Sequence, residues 1–177
     1  VHHGNGTQDL FYDRGDVLYV STHQAPHYPG TGRASEVGVG DGFGSTVNVP
    51  LPAGSGGEVL RSAFDRVVLP AVQEFQPDWL LVSAGFDAHR DDPLASLALV
   101  EGDFAALASR LTGLVAPRRL AFVLEGGYDL GALGRSVLAT LAQLVGAEVP
   151  DLERLSDDRV GVDVVDRAIG EREAALA

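Results

Sequence analysis

The chain has 177 residues, 45% hydrophobic and 21% charged, enough for one globular domain with a substantial core. Acidic residues outnumber basic ones by 25 to 13 (formal net charge -12), and no basic run offers phosphate neutralisation, which argues against nucleic acid as a direct partner. There is no cysteine, so disulfides and thiolate chemistry are excluded and any metal must be held by histidine and carboxylates.

The chain opens on Val1-His2-His3-Gly4-Asn5-Gly6-Thr7-Gln8. Imidazole is the commonest metal ligand, and glycines allow close approach of backbone to a ligand. Surface histidines in a turn, or a tag remnant, would look the same in isolation. Residues 9–16 read as a short helical turn closing at Gly15, and 17–21 as a buried β-rich strand. Pro26, Pro29 and several glycines make 22–44 a long loop, within which Gly38, Gly40, Gly42 and Gly44 read as a flexible connection. Their spacing is not that of a dinucleotide cradle, and a strand follows where a helix would be needed. Residues 45–50 form a second strand ended by Pro50.

From Glu58, Val59, Leu60, Ala63, Phe64, Val67, Val68 and Val72 recur at helical spacing, and Pro70 predicts a kink or break. Residues 79–84 are nearly all apolar, the pattern of a strand buried on both faces. They run into a polar loop holding Asp87, His89, Arg90, Asp91 and Asp92. A helix is expected over 101–115, a buried strand over 120–124 and a helix over 130–146 stopped by Gly146. Residues 151–160 read as charged and exposed, and 163–175 as a terminal helix. No apolar run reaches membrane-span length, so no membrane partner is expected. A cytoplasmic location is the expectation.

Strands alternating with helices predict a parallel α/β sheet, whose ligand site lies outside the carboxyl ends of the strands. Three loops reach that rim, after Ser21, Ala84 and Leu124. Asp87 can bind a cation or orient a base there; a helix cap or a loop carboxylate bonded to backbone is the alternative. Tyr128, after Gly126-Gly127, can donate to a developing oxyanion, or be an ordinary half-buried tyrosine. His2 and Asp87 supply one nitrogen and one oxygen donor, whereas a catalytic zinc site usually has three protein ligands and an open position. His23 and His27 read as loop residues or supporting groups, and Arg90, Asp91 and Asp92 as a local charge network.

Together, VHHGNGTQ at 1–8, VLYVSTHQ at 17–24, YPGTG at 28–32, VNVPLPAG at 47–54, SAGFDAHRDDPL at 83–94 and LEGGYDL at 124–130 resemble the histone deacetylase family in its bacterial, class II-like branch. The resemblance runs in family order through about residue 146. It implies a three-layer α/β/α parallel-sheet fold of the arginase/deacetylase type and zinc-dependent hydrolysis of acetyl-lysine or a related acylated small amine. It implies His2 and Asp87 as zinc ligands and Tyr128 as the catalytic phenol. Tyr28, Leu94, Gly126 and Gly127 are implied to line the substrate tunnel, and Ser21 to bind a structural monovalent cation, usually K+. In the family an Asp-x-His-His motif supplies a further carboxylate ligand, which would fall just before Val1, and the tandem-histidine general base lies further upstream. Residues 1–150 are therefore expected to be the C-terminal half of a deacetylase catalytic domain, inactive alone, and 151–177 an extension. A non-catalytic binding module is the competing class. Acetylpolyamine hydrolysis is a variant against which Leu94 speaks, because the polyamine-selective relative has an acidic residue there.

Overall fold

The computed structural model describes residues 1–148, 153, 155–157 and 159–177. Its first strand, β1 (Tyr19–Gln24), pairs in parallel with β2 (Thr46–Leu51), Tyr19 opposite Thr46 and Gln24 opposite Leu51. A second parallel pair joins β3 (Leu80–Ala84) to β4 (Leu120–Leu124), Leu80 opposite Leu120 and Ala84 opposite Leu124. Among the described residues no strand joins the two pairs. The β3–β4 crossover carries a helix, whereas β1 and β2 are joined by a long loop with a single short 3-10 turn at Gly40–Gly42. The helices are α1 (Asn5–Phe11), α2 (Gly57–Ala63), α3 (Leu69–Phe75), α4 (Glu101–Leu111), α5 (Leu130–Val145) and α6 (Asp163–Leu176).

Several sequence expectations shift. The first helix starts at Asn5, within the glycine-bearing stretch, and ends at Phe11, before the predicted Gly15. β1 runs on to Gln24 because His23 and Gln24 are buried against β2 and bonded there, a cost their polarity hides from an apolar-run reading. β2 passes through Pro50. Tyr19 N–H bonds Ser45 C=O and Ala25 N–H bonds Leu51 C=O, so the odd-numbered β2 residues face β1. The missing amide hydrogen of Pro50 therefore falls on the side away from β1, where it removes no bond of this pair. The Gly38–Gly44 stretch is a packed turn rather than a flexible connection. Val39 N–H bonds Tyr12 C=O, Gly44 N–H bonds Val37 C=O, and a Cβ on Gly38 (φ +94°) would lie 2.0 Å from Gly42 O.

The predicted break at Pro70 is realised by widening. Residues Phe64–Val68 form a π-type turn between α2 and α3, in which Leu69 N–H reaches Phe64 C=O. Pro70, with no N–H to donate, falls in the first turn of α3, where none is required. α5 stops as expected at Gly146, which adopts a left-handed conformation (φ +69°). α4 ends at Leu111, short of the predicted 115.

The core lies between β2 and the helices. Val47, Val49 and Leu51 pack with Val59, Leu60, Ala63 and Val67, with Phe104 of α4 and with Val165 and Ala168 of α6. Each fully buried Val or Leu contributes on the order of 1.5–3 kcal/mol. The terminal helix is thus part of the core. Asp103 pins the segment leading to it: buried at the start of α4, its carboxylate accepts from Val100 N–H (3.0 Å), Ser156 Oγ (2.7 Å) and the Arg61 guanidinium. In the stretch 151–160, Glu153, Leu155, Asp157 and Arg159 are exposed; 151, 152, 154 and 158 lie outside the described residues.

The expectation that β3 and β4 are buried on both faces is corrected. Leu81 is 72% exposed, Val123 53% and Leu124 55%. α4 and α5 pack against one another, and a two-stranded pair without flanking strands leaves the other face and one edge of each strand uncovered. No helix among the described residues is long and apolar enough to cross a membrane.

Candidate metal centre and substrate rim

At the carboxyl ends of the strands the two adjacent histidines diverge. His3 is buried; its Nε2 donates to Gln8 Oε1 (2.9 Å) and, in the neutral ring, its Nδ1 accepts from Thr31 Oγ1 (2.8 Å). Gln8 Oε1 also accepts from Asn48 Nδ2 (2.7 Å), and Gln8 Nε2 donates to Glu36 Oε2 (2.8 Å). Burial works to raise the Glu36 carboxyl, but hydrogen bonds from Gln8, Arg33 and Gly32 prevail and hold it below its ordinary value. Both ring nitrogens of His3 are thus committed to the scaffold.

His2 turns the other way, its Nδ1 3.0 Å from Oδ2 of Asp87. Asp87 is 1% exposed and follows β3 directly; its Oδ1 accepts from the Val1 backbone nitrogen at 3.2 Å. A buried carboxylate is costly unless a positive group or a cation balances it. Glycine backbone closes around it. A Cβ on Gly126 would lie 2.3 Å from Asp87 Oδ2, and one on Gly85 2.9 Å from Oδ1. The loops after β3 and β4 are locked together here by Phe86 N–H bonding Gly126 C=O (2.8 Å). One imidazole nitrogen and one carboxylate oxygen, 3.0 Å apart, are within reach of a single cation and match the donor chemistry of zinc. Among the described residues no group of three histidine or acidic side chains converges.

The rim above the pair carries the remaining candidates. The His27 ring stacks on His2 at a centroid separation of 5.0 Å, and the 77%-exposed Tyr28 ring stands edge-on to His2 at 6.3 Å. Gly127 has φ +143°, a backbone state that glycine alone adopts readily, and it delivers the chain to Tyr128, whose ring is half exposed. Leu94 is half exposed on the neighbouring loop. Ser21 belongs to an adjoining cluster. His23 Nε2 donates to Gly32 C=O (2.9 Å), so its Nδ1 accepts from the Ser21 hydroxyl (3.0 Å). Burial, then the neighbouring His3, lowers the His23 pKa to about 4, and the ring is neutral at pH 7. The predicted charge network divides. Arg90 pairs with Glu153 and Asp91 with Arg135, but Asp92 turns inward and is buried.

Replacing Gly126 by alanine is expected to push Asp87 out of place. We expect zinc affinity of the full-length protein to fall about 10- to 100-fold with the fold retained, the range seen when groups supporting a ligand are altered. Competition with a chelating dye measures this; unchanged affinity would mean that Asp87 does not depend on that bare backbone.

A parallel α/β domain that presents a histidine–carboxylate pair at its strand ends, beside a glycine-borne tyrosine, defines the class. Residues 1–144 match the histone deacetylase domain family model. The chain is 50% identical over 161 residues to histone deacetylase 10, chloroplastic, of Oryza sativa subsp. japonica, covering 89% of this chain and 36% of that protein. It is 44% identical over 153 residues to a probable deacetylase of Archaeoglobus fulgidus, covering 84% of this chain and 43% of that one. Among solved structures, the histone deacetylase Clr3 superposes with a TM-score of 0.90 at 38% identity, over 99% of this chain and 30% of that one. The chain belongs to the histone deacetylase domain family and has its arginase/deacetylase-like α/β fold. It spans less than half the length of the curated relatives it matches.

Proposed function

We propose that the full-length protein is a zinc-dependent amidohydrolase that removes an acetyl or related acyl group from lysine or from a small amine. The observation that carries this reading is the approach of His2 Nδ1 to Asp87 Oδ2 at 3.0 Å, at the strand ends and under the loop of Tyr128. When bound, zinc supplies the Lewis acidity that polarises an amide carbonyl and acidifies water.

The chain's own residues do the rest. His2 and Asp87 hold the cation, Asp87 in a buried position that keeps its carboxylate from being hydrated away. Gly126 and Gly127 expose bare backbone along which an extended acyl-lysine chain can pass. Tyr28 and Leu94 form apolar walls against its methylenes and exclude water from the scissile bond. Tyr128 donates its phenolic hydrogen to the carbonyl oxygen as negative charge builds there. Ser21, whose hydroxyl bonds His23, is the residue we assign to a structural monovalent cation such as K+. With two of the usual three zinc ligands, the 177-residue chain alone is expected to be inactive.

The test compares the full-length protein with the 177-residue chain, assaying acetyl-lysine reporter turnover alongside zinc stoichiometry. We expect one zinc per full-length chain with chelator-sensitive turnover, and neither stoichiometric zinc nor turnover in the shorter chain. Turnover that survives complete metal removal would overturn the proposal.

A further inference from the structure

The phenol of Tyr128 has no hydrogen-bond partner among the described residues, so its main chain must set its position. That main chain is poorly constrained by its own sequence. Gly126 and Gly127 precede it, and Asp129, which follows, is engaged in capping α5 through Oδ1 to Ala132 N–H (2.7 Å). What holds it comes from the other loop. Asp92 Oδ2 accepts from Tyr128 N–H at 2.7 Å and from Asp129 N–H at 3.4 Å, while Asp92 Oδ1 accepts from Leu94 N–H at 2.9 Å.

Asp92 is 6% exposed, and no arginine pairs with it among the described residues; its acidic neighbour Asp91 takes Arg135 instead. Its own N–H is tied back to His89 C=O (2.9 Å). A buried carboxylate satisfied by main-chain donors is a rigid staple, since hydrogen bonds to a charged acceptor are stronger than neutral ones. This staple joins the backbone of Tyr128 to the backbone of Leu94. We propose that Asp92 is a positioning residue, which sets the height of Tyr128 over the His2–Asp87 pair and its spacing from Leu94. The inference rests on the role assigned to Tyr128 above.

The experiment uses the full-length protein with Asp92→Ala, the near-isosteric Asp92→Asn, Tyr128→Phe and the Asp92→Ala/Tyr128→Phe double variant. Hydrogen exchange on the metal-free proteins reads the staple independently of activity. Asp92→Ala is expected to speed exchange at the Tyr128 and Asp129 amides and leave the β2 and α2 amides protected. Asp92→Asn, whose one amide oxygen can serve only one side, is expected to give a smaller change. In turnover of an acetyl-lysine reporter, Asp92→Ala is expected to lower kcat about 10- to 100-fold with less than a threefold change in KM and full zinc content. In the Tyr128→Phe background the same substitution is expected to cost less than threefold, because its effect passes through the missing hydroxyl. Unchanged exchange at the two amides, or losses that multiply in the double variant, would overturn the proposal. Should Asp92→Ala fail to fold, Asp92→Asn carries the same comparison. If Tyr128→Phe alone keeps full activity, the role of Tyr128 falls, whereas the exchange result still decides whether Asp92 holds that backbone.

Discussion

Tyr128→Phe in the full-length protein is expected to reduce acetyl-lysine turnover about 100- to 1000-fold, the usual consequence of removing one oxyanion donor. Zinc content and KM should stay close to those of the unaltered protein. The substitution removes a hydroxyl from a half-exposed ring and leaves the backbone, Gly127 and the bond to Asp92 in place. Nothing in the core depends on that hydroxyl, so a fall in kcat reads on chemistry and not on folding. A variant that keeps zinc and full turnover would remove Tyr128 from the mechanism.

The second large effect concerns the metal. Asp87→Ala deletes one of the two zinc donors proposed above and leaves His2 without its carboxylate partner, beside Gly85 and Gly126. Loss of zinc from the purified protein and loss of detectable turnover are expected together. Asp87→Asn keeps the shape but replaces a charged oxygen with a neutral one, and should lower zinc affinity by a smaller factor. Elemental analysis after dialysis, with a thermal melt as control for folding, makes the comparison. Retention of one zinc per chain in Asp87→Ala would show that Asp87 is not a ligand.

The parts of the fold that could be read in the sequence are those that apolar runs write plainly. β3, β4, α4 and α5 appear as hydrophobic runs or helical periodicities, and Pro70 announced the break that a π-type turn accommodates. Where polar residues enter the core the reading slips. His23 and Gln24 are buried by hydrogen bonding, so β1 extends three residues past its apolar run. The exposure of Leu81 and Val123 could not be read either, because a period-free apolar run marks a strand without saying what covers it.

At the site, Asp87, Tyr128 and the glycines stood out by their position after strands. The resemblance also singled out His2, and not His3, to stand with Asp87; what no adjacency in the chain reveals is that the His3 ring is taken up by Gln8 and Thr31. Asp92 was hidden in a run of charges. The available signal was Asp92-Pro93, since Asp-Pro pairs favour turn initiation, where an aspartate tends to bond backbone N–H groups.

In the zinc site proposed above, His2 is the one imidazole of this chain on the metal. Among the chain's five histidines, His3 and His23 have both ring nitrogens engaged, and His89 is buried beside Glu101. Only His27, stacked on His2, is placed to compete. Zinc-edge X-ray absorption of the zinc-loaded full-length protein tests this directly. A shell of oxygen and nitrogen donors at about 2.0–2.2 Å with the scattering of a single imidazole is the expected result. Two or more imidazoles, or none, would contradict it.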